Sequence, residues 1–189
     1  PATGVNENIS AYGGHADLSF GTTLWGYHNH LFVSYALGSG DGDAAAGVSS
    51  RREFSNPNTD TPLTGDMNVV GSLAGADAGE HHASGLHIYT LGWGIDVTNE
   101  LNLSATGRYF RAGSVEPGFS KNLGVEADFT LTYAFSDNLS LIAGYDHFFT
   151  GGFFRDAAGS DRDIDYGYVM VQFDLSHTKP KLRLKGSKG

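Results

Sequence analysis

Glu126 and Asp128 stand two residues apart in LGVEADFTLTYAF, residues 123–135. On an extended chain that spacing puts both carboxylates on one face, ~7 Å apart. A pair so placed is compatible with glycoside hydrolysis, but a charged lining to a water-filled pore asks for fewer further groups. HNH at 28–30 has the letters of a nuclease without the surrounding ββα metal pattern, and it opens an alternating apolar run. Glu80, His81, His82 and His87 offer imidazole and carboxylate ligands suited to a transition metal. Adjacent histidines on an extended segment point apart, which favours solvated loop histidines. DRDID sets Asp161, Asp163 and Asp165 on one side of an extended segment, three hard oxygen donors for Ca²⁺ or else a solvated acidic rim. DGD at 41–43 could add to such a site, yet neither stretch has the spacing of an EF-hand loop. A G-x-S-x-G nucleophile elbow and a G-x-x-x-x-G-K phosphate loop are both absent from the sequence. The expectation is a protein that is not an enzyme and carries no cofactor.

The elements that must position these residues are strands. In LGVEADFTLTYAF, Leu123, Val125, Ala127, Phe129, Leu131, Tyr133 and Phe135 alternate with Glu126, Asp128 and smaller or polar residues. The run is thirteen residues long, whereas strands of soluble proteins usually stop near six. The same alternation predicts strands at roughly 9–20, 28–38, 86–97, 101–112, 122–135, 139–150 and 164–175. It sets Asp17, Asp96, Arg108, Glu126, Asp128 and Asp146 opposite the apolar faces, with Ile142 and Phe148 as exceptions to the pattern. TNE at 98–100 and SDN at 136–138 read as minimal hairpin turns. The links 39–85, 113–121 and 151–163 are long and rich in Gly and Asp, so long and short connections alternate. DMNVVGSLAG at 66–75 breaks the period and is assigned to the first long link rather than to a strand.

Twelve residues at about 3.3 Å each reach ~40 Å, and a 45° tilt turns that into ~28 Å, the thickness of a hydrocarbon core. Charged residues make up 17% of the chain, below the roughly 25% of an ordinary soluble domain, while mean hydropathy is −0.24. Low charge without high hydropathy is what strands facing lipid on one side and water on the other produce. Twenty-seven glycines, nine tyrosines and twelve phenylalanines favour strands and turns over helices. The chain has no cysteine, hence neither disulfides nor thiolate metal sites, and its net charge of −9 argues against nucleic acid as a partner. PATGVNENIS lacks the regions of a signal peptide, so an exported protein would here be in processed or truncated form. KPKLRLKGSKG forms a basic tail within 176–189, after a β region spanning 1–175.

Several stretches resemble the alginate-export family of outer-membrane porins. They are SYALGSGDGD at 34–43 with a distant Phe54, the strand–turn–strand unit from Leu86 to Arg111, and YDHFFTGGFFRDAAGSDRDIDYGYVMVQFDL at 145–175. The resemblance implies a large single-chain barrel in the bacterial outer membrane, passing sugars and other small solutes by passive diffusion. Seven strands are odd in number and too few to close, so either one strand escapes the pattern or these residues are the C-terminal part of a larger barrel, and the resemblance implies the latter. One departure concerns the cargo. The alginate exporter's pore is rich in arginine, whereas here five carboxylates, Asp17, Asp96, Glu126, Asp128 and Asp146, face one guanidinium, Arg108, which tells against a polyuronate.

The expected fold is therefore an all-β antiparallel transmembrane barrel in meander order, lined by those six residues. Its expected partners are outer-membrane lipid, small solutes or saccharides, and further strands of the same barrel or an assembly partner. The other readings are a secreted soluble β-sandwich binding carbohydrate and a self-assembling β-rich structural protein.

Overall fold

A computed structural model describes residues 8–42, 50–51, 54 and 62–174. It is all-β apart from one short helix and one turn of 3₁₀ helix at 62–64. Strands β1 (Gly13–Leu24) and β2 (Tyr27–Gly38) form the first hairpin. After the long connection come the short β3 (Gly75–Ala78) and the sixteen-residue β4 (His81–Asp96). They are followed by β5 (Leu101–Ser114), β6 (Asn122–Ser136) and β7 (Leu139–Thr150). Helix α1 (Gly152–Ala158) then leads to β8 (Ile164–Phe173). All pair antiparallel in one sheet of eight strands, in the order β8-β7-β6-β5-β4-β2-β1, with β3 also on β4. Among the described residues β1 and β8 are free edges, and barrel closure is not seen. Asn8–Ile9 and Ser50–Arg51 form a separate two-residue parallel pairing. The basic tail lies outside the described residues.

Seven long strands are found where alternation predicts them, except that β1 lies four residues further along than the expected 9–20 and β4 begins at His81 rather than 86, and the register carries their two faces across the sheet. Val125 pairs with Tyr109 and Phe149, and Phe129 with Ala105 and Tyr145, so apolar residues of neighbouring strands share one face. Leu18, Val33 and Leu91 continue that face to the other edge. The first hairpin is tighter than expected. Trp25 (φ 54°) and Gly26 (φ 84°) both adopt the left-handed region, which is what a two-residue turn matched to strand twist requires.

Two features inside the long links depart from the expected irregular loops. β2 ends at Gly38 opposite Leu86, leaving residues 81–84 of β4 without a neighbour on that side. β3 fills the vacancy, pairing Ala76 with Ala83 and Asp77 with His82. Its small residues carry no alternation that would identify a strand in advance. The second feature is α1, which ends on Gly159 in the left-handed conformation and buries Phe153.

The core is one-sided. Val70 and Leu73 of the long connection, with Phe153 of α1, cover Leu86, Ile88, Phe110, Leu123 and Phe148 on the face opposite the apolar one, near the long-link end. The rings of Phe110 and Phe148 lie 6.0 Å apart within it. Phe148, an exception to its strand's alternation, is thus a core residue. Further toward the short-turn end, aromatic rings of this covered face lie over glycines of the next strand. A Cβ on Gly92 would enter the ring of Phe32, and one on Gly144 the ring of Tyr168.

Candidate functional site

Arg108, Glu126, Asp128 and Asp146 meet on the covered face because register makes them neighbours. Arg108 on β5 is the pairing partner of Glu126 on β6, and Asp128 is the partner of Asp146 on β7. The Arg108 guanidinium contacts Asp128 Oδ2 through Nη1, and the same nitrogen lies 3.5 Å from Glu126 Oε1. Glu126 also accepts a hydrogen bond of 2.8 Å from the backbone N–H of Asp66, in the long connection. Next to it Gly65 (φ 88°) presses so closely that a Cβ would collide with the Glu126 carboxylate. The connection therefore docks onto the sheet through a charged acceptor and a glycine that only just fits over it.

These carboxylates were expected to face open water. Instead Glu126 and Asp146 are 0% exposed and Asp128 4%, with Gly65 and Asp66 of the long connection folded onto Glu126. Glu126 Oε2, Asp128 Oδ1 and both Asp146 oxygens have no hydrogen-bond partner within the protein. Of these three buried carboxylates, the one guanidinium reaches Glu126 and Asp128 and leaves Asp146 without a partner among the described residues. Leaving such charge unsatisfied is costly, so the pocket attracts positive charge or water.

The other two expected residues occupy the same face but stand apart. Asp17 on β1 is exposed and accepts from the Ser34 hydroxyl (2.5 Å), with His15 Nδ1 at 2.7 Å. Asp96 lies at the short-turn end of β4, where Asn102 donates to its Oδ1 (2.8 Å) and His28 and His30 approach its Oδ2.

The candidate calcium carboxylates do not converge. Asp163 accepts from the Thr150 N–H at 2.8 Å, and Asp165 from the Tyr145 hydroxyl at 2.5 Å with His147 Nδ1 at 2.8 Å. Asp161 is exposed ahead of β8. Of DGD, Asp41 is described and uses its backbone N–H on Ser84 Oγ (2.7 Å), while Asp43 lies outside the described residues. The histidines at 81 and 82 turn to different partners, Glu116 (3.0 Å) and Asp77 (2.6 Å), and His87 pairs with the Tyr35 hydroxyl at 2.8 Å.

On the opposite face, large apolar side chains stand in the open across all seven long strands. Leu18 is 72% exposed, Leu91 59%, Phe129 54% and Val169 73%. Near the long-link end, Tyr35, Tyr89 and Tyr109 form a cross-strand row with ring centroids 5.0 and 6.0 Å apart. Near the short-turn end lie Trp25, Tyr133, Phe135 and Phe173, all exposed. Among the described residues no helix is long and apolar enough to cross a membrane.

Reading the strands placed all six charged residues on one face but missed what covers them. Gly65, Asp66, Val70 and Leu73 lie in a stretch without periodicity, and the one available sign was the scatter of large apolar residues there, Leu63, Met67, Val69, Val70 and Leu73. Compared with known proteins, the chain matches no family model and no curated sequence.

Proposed function

We propose that this sheet is a wall segment of a porin-type β-barrel in the bacterial outer membrane, its free edges met by further strands of the same barrel or by an assembly partner. The observation that carries the reading is the apolar face. It spans seven long strands, has no cover among the described residues, and is bordered by aromatic rows at both ends. Soluble monomers rarely expose contiguous apolar patches beyond a few hundred Å², while lipid-facing strands require such a face with aromatic girdles. The opposite face carries all six charged residues expected to line a lumen, beside the apolar core at its long-link end. The resemblance to the alginate-export family, as a C-terminal portion, supports the same assignment.

Passage would be passive. The part of the long connection around Gly65 and Asp66, docked on Glu126, narrows the lumen against the wall, and the carboxylates of Glu126, Asp128 and Asp146 outnumber Arg108 behind it. Their field favours cations and neutral saccharides over polyanions. Planar-bilayer recording from the detergent-extracted protein tests this. Ohmic steps with cation preference are expected, with reversal potentials moving toward zero in Glu126→Gln/Asp128→Asn. A folded protein that gives no conductance would refute the pore, and unchanged reversal potentials would remove these residues from the filter.

A further inference from the structure

At the short-turn end of the face opposite the apolar one, three neighbouring strands bring together a set of donors of which the pore reading uses only Asp96, as a lining charge. His28 and His30, two apart on β2, point to the same face, and Asp96 on β4 is the pairing partner of His28. His28 Nδ1 lies 3.0 Å from His30 Nε2, and these nitrogens lie 3.5 and 3.6 Å from Asp96 Oδ2. Among the described residues, this is the single group of three ligand-type side chains whose donor atoms all fall within 4.8 Å of one another.

We propose that His28, His30 and Asp96 form a binding site for a divalent transition-metal ion of the zinc, nickel or copper class. Ligand atoms of a tetrahedral ion with bonds of about 2.0–2.1 Å stand about 3.3 Å apart. The observed triangle of 3.0, 3.5 and 3.6 Å brackets that edge. Two imidazoles with one carboxylate select this class over calcium or magnesium, which prefer all-oxygen sets. A supporting shell is present as well. Asn102, the partner of Asp96 on β5, donates to its Oδ1 at 2.8 Å and leaves Oδ2 aimed at the histidines. Such outer partners orient metal ligands. Space is available too, because His30 is flanked across both its ladders by glycines, Gly21 and Gly94. All three side chains are about half exposed, so an ion keeps a coordination position for water or a passing solute. The site joins β2 to β4 at the mouth of the sheet, independently of whether the sheet belongs to a pore.

The test uses the full chain in detergent, without an affinity tag and stripped of metal by chelation. Zn²⁺ is titrated against a chromophoric competitor, and Cu²⁺ is followed by electron paramagnetic resonance. One tight site is expected, with nitrogen hyperfine structure from two imidazoles. His28→Gln and His30→Gln should each weaken binding at least ~10-fold and leave one coupled nitrogen, and Asn102→Ala should weaken it about 10-fold. Asp96→His, which supplies a third imidazole, should retain binding, and His81→Gln/His82→Gln should leave the tight site unchanged. Unfolding midpoints without metal identify any variant that fails to fold. The proposal is overturned if the wild type binds no tighter than His28→Gln/His30→Gln, or if tight binding follows His81 and His82. A triad that serves only as a metal-free hydrogen-bonded cluster gives that first result.

Discussion

Phe129 separates a lipid-facing sheet from a water-facing one by a single pair of substitutions. It lies at the middle of β6 on the apolar face, between Val125 and Tyr133, and 54% of it is exposed. Phe129→Ala and Phe129→Lys both lose the ring, so their difference isolates the ammonium. If water bathes this face, Lys extends its charge into solvent and the two variants differ by no more than about 0.5 kcal/mol. If lipid does, a lysine near the midplane costs about 2–4 kcal/mol. With a urea dependence of about 2 kcal/mol per molar, that difference lowers the unfolding midpoint of Phe129→Lys by about 1–2 M below that of Phe129→Ala. The assay is urea unfolding of protein folded into phospholipid vesicles, followed by fluorescence of Trp25 and Trp93. Coincident midpoints for the two variants would refute a lipid-facing Phe129 and with it the barrel assignment.

Arg108→Met removes the guanidinium that touches both Glu126 and Asp128, and stranding those buried carboxylates should cost about 3–5 kcal/mol in the same assay. Adding Asp128→Asn should recover part of it, and strictly additive losses would show that the pair is not coupled. Gly92→Val should drive the Phe32 ring off the sheet at a cost of about 1–3 kcal/mol. In a Phe32→Ala background the same substitution should cost measurably less, and an equal cost in both would locate the strain elsewhere.

What alternation could reveal was position and face. A period of two is set by each strand alone, so Glu126, Asp128, Arg108, Asp146, Asp17 and Asp96 were all legible as residues of one face. Which of them meet is a matter of register, and register depends on where turns fall. The Trp25–Gly26 hairpin carries no Asn-Gly or Asp-Gly signal, so neither the end of β1, expected near residue 20 and found at Leu24, nor the alignment of β2 with Asp96 could be read in advance. HNH was visible as a motif, but its carboxylate partner lies 66 residues beyond His30 in the chain. The cover over the carboxylates is held by tertiary contacts of Val70, Leu73, Phe153 and the Asp66 N–H, none of which follows a local period. Likewise β3 exists because β2 stops short of β4, a vacancy that its own residues do not record.

The two rings lying over Gly92 and Gly144 bear on how much room a wall leaves beside it. Phe32 and Tyr168 point to the polar side, yet each reclines along its neighbour's backbone, where any other residue would have propped it upright. An aromatic lying flat adds little thickness to the wall while sealing the backbone beneath it. In a channel, those two glycines would therefore set bore rather than stability alone. There, large solutes as well as the fold should feel a substitution at either position.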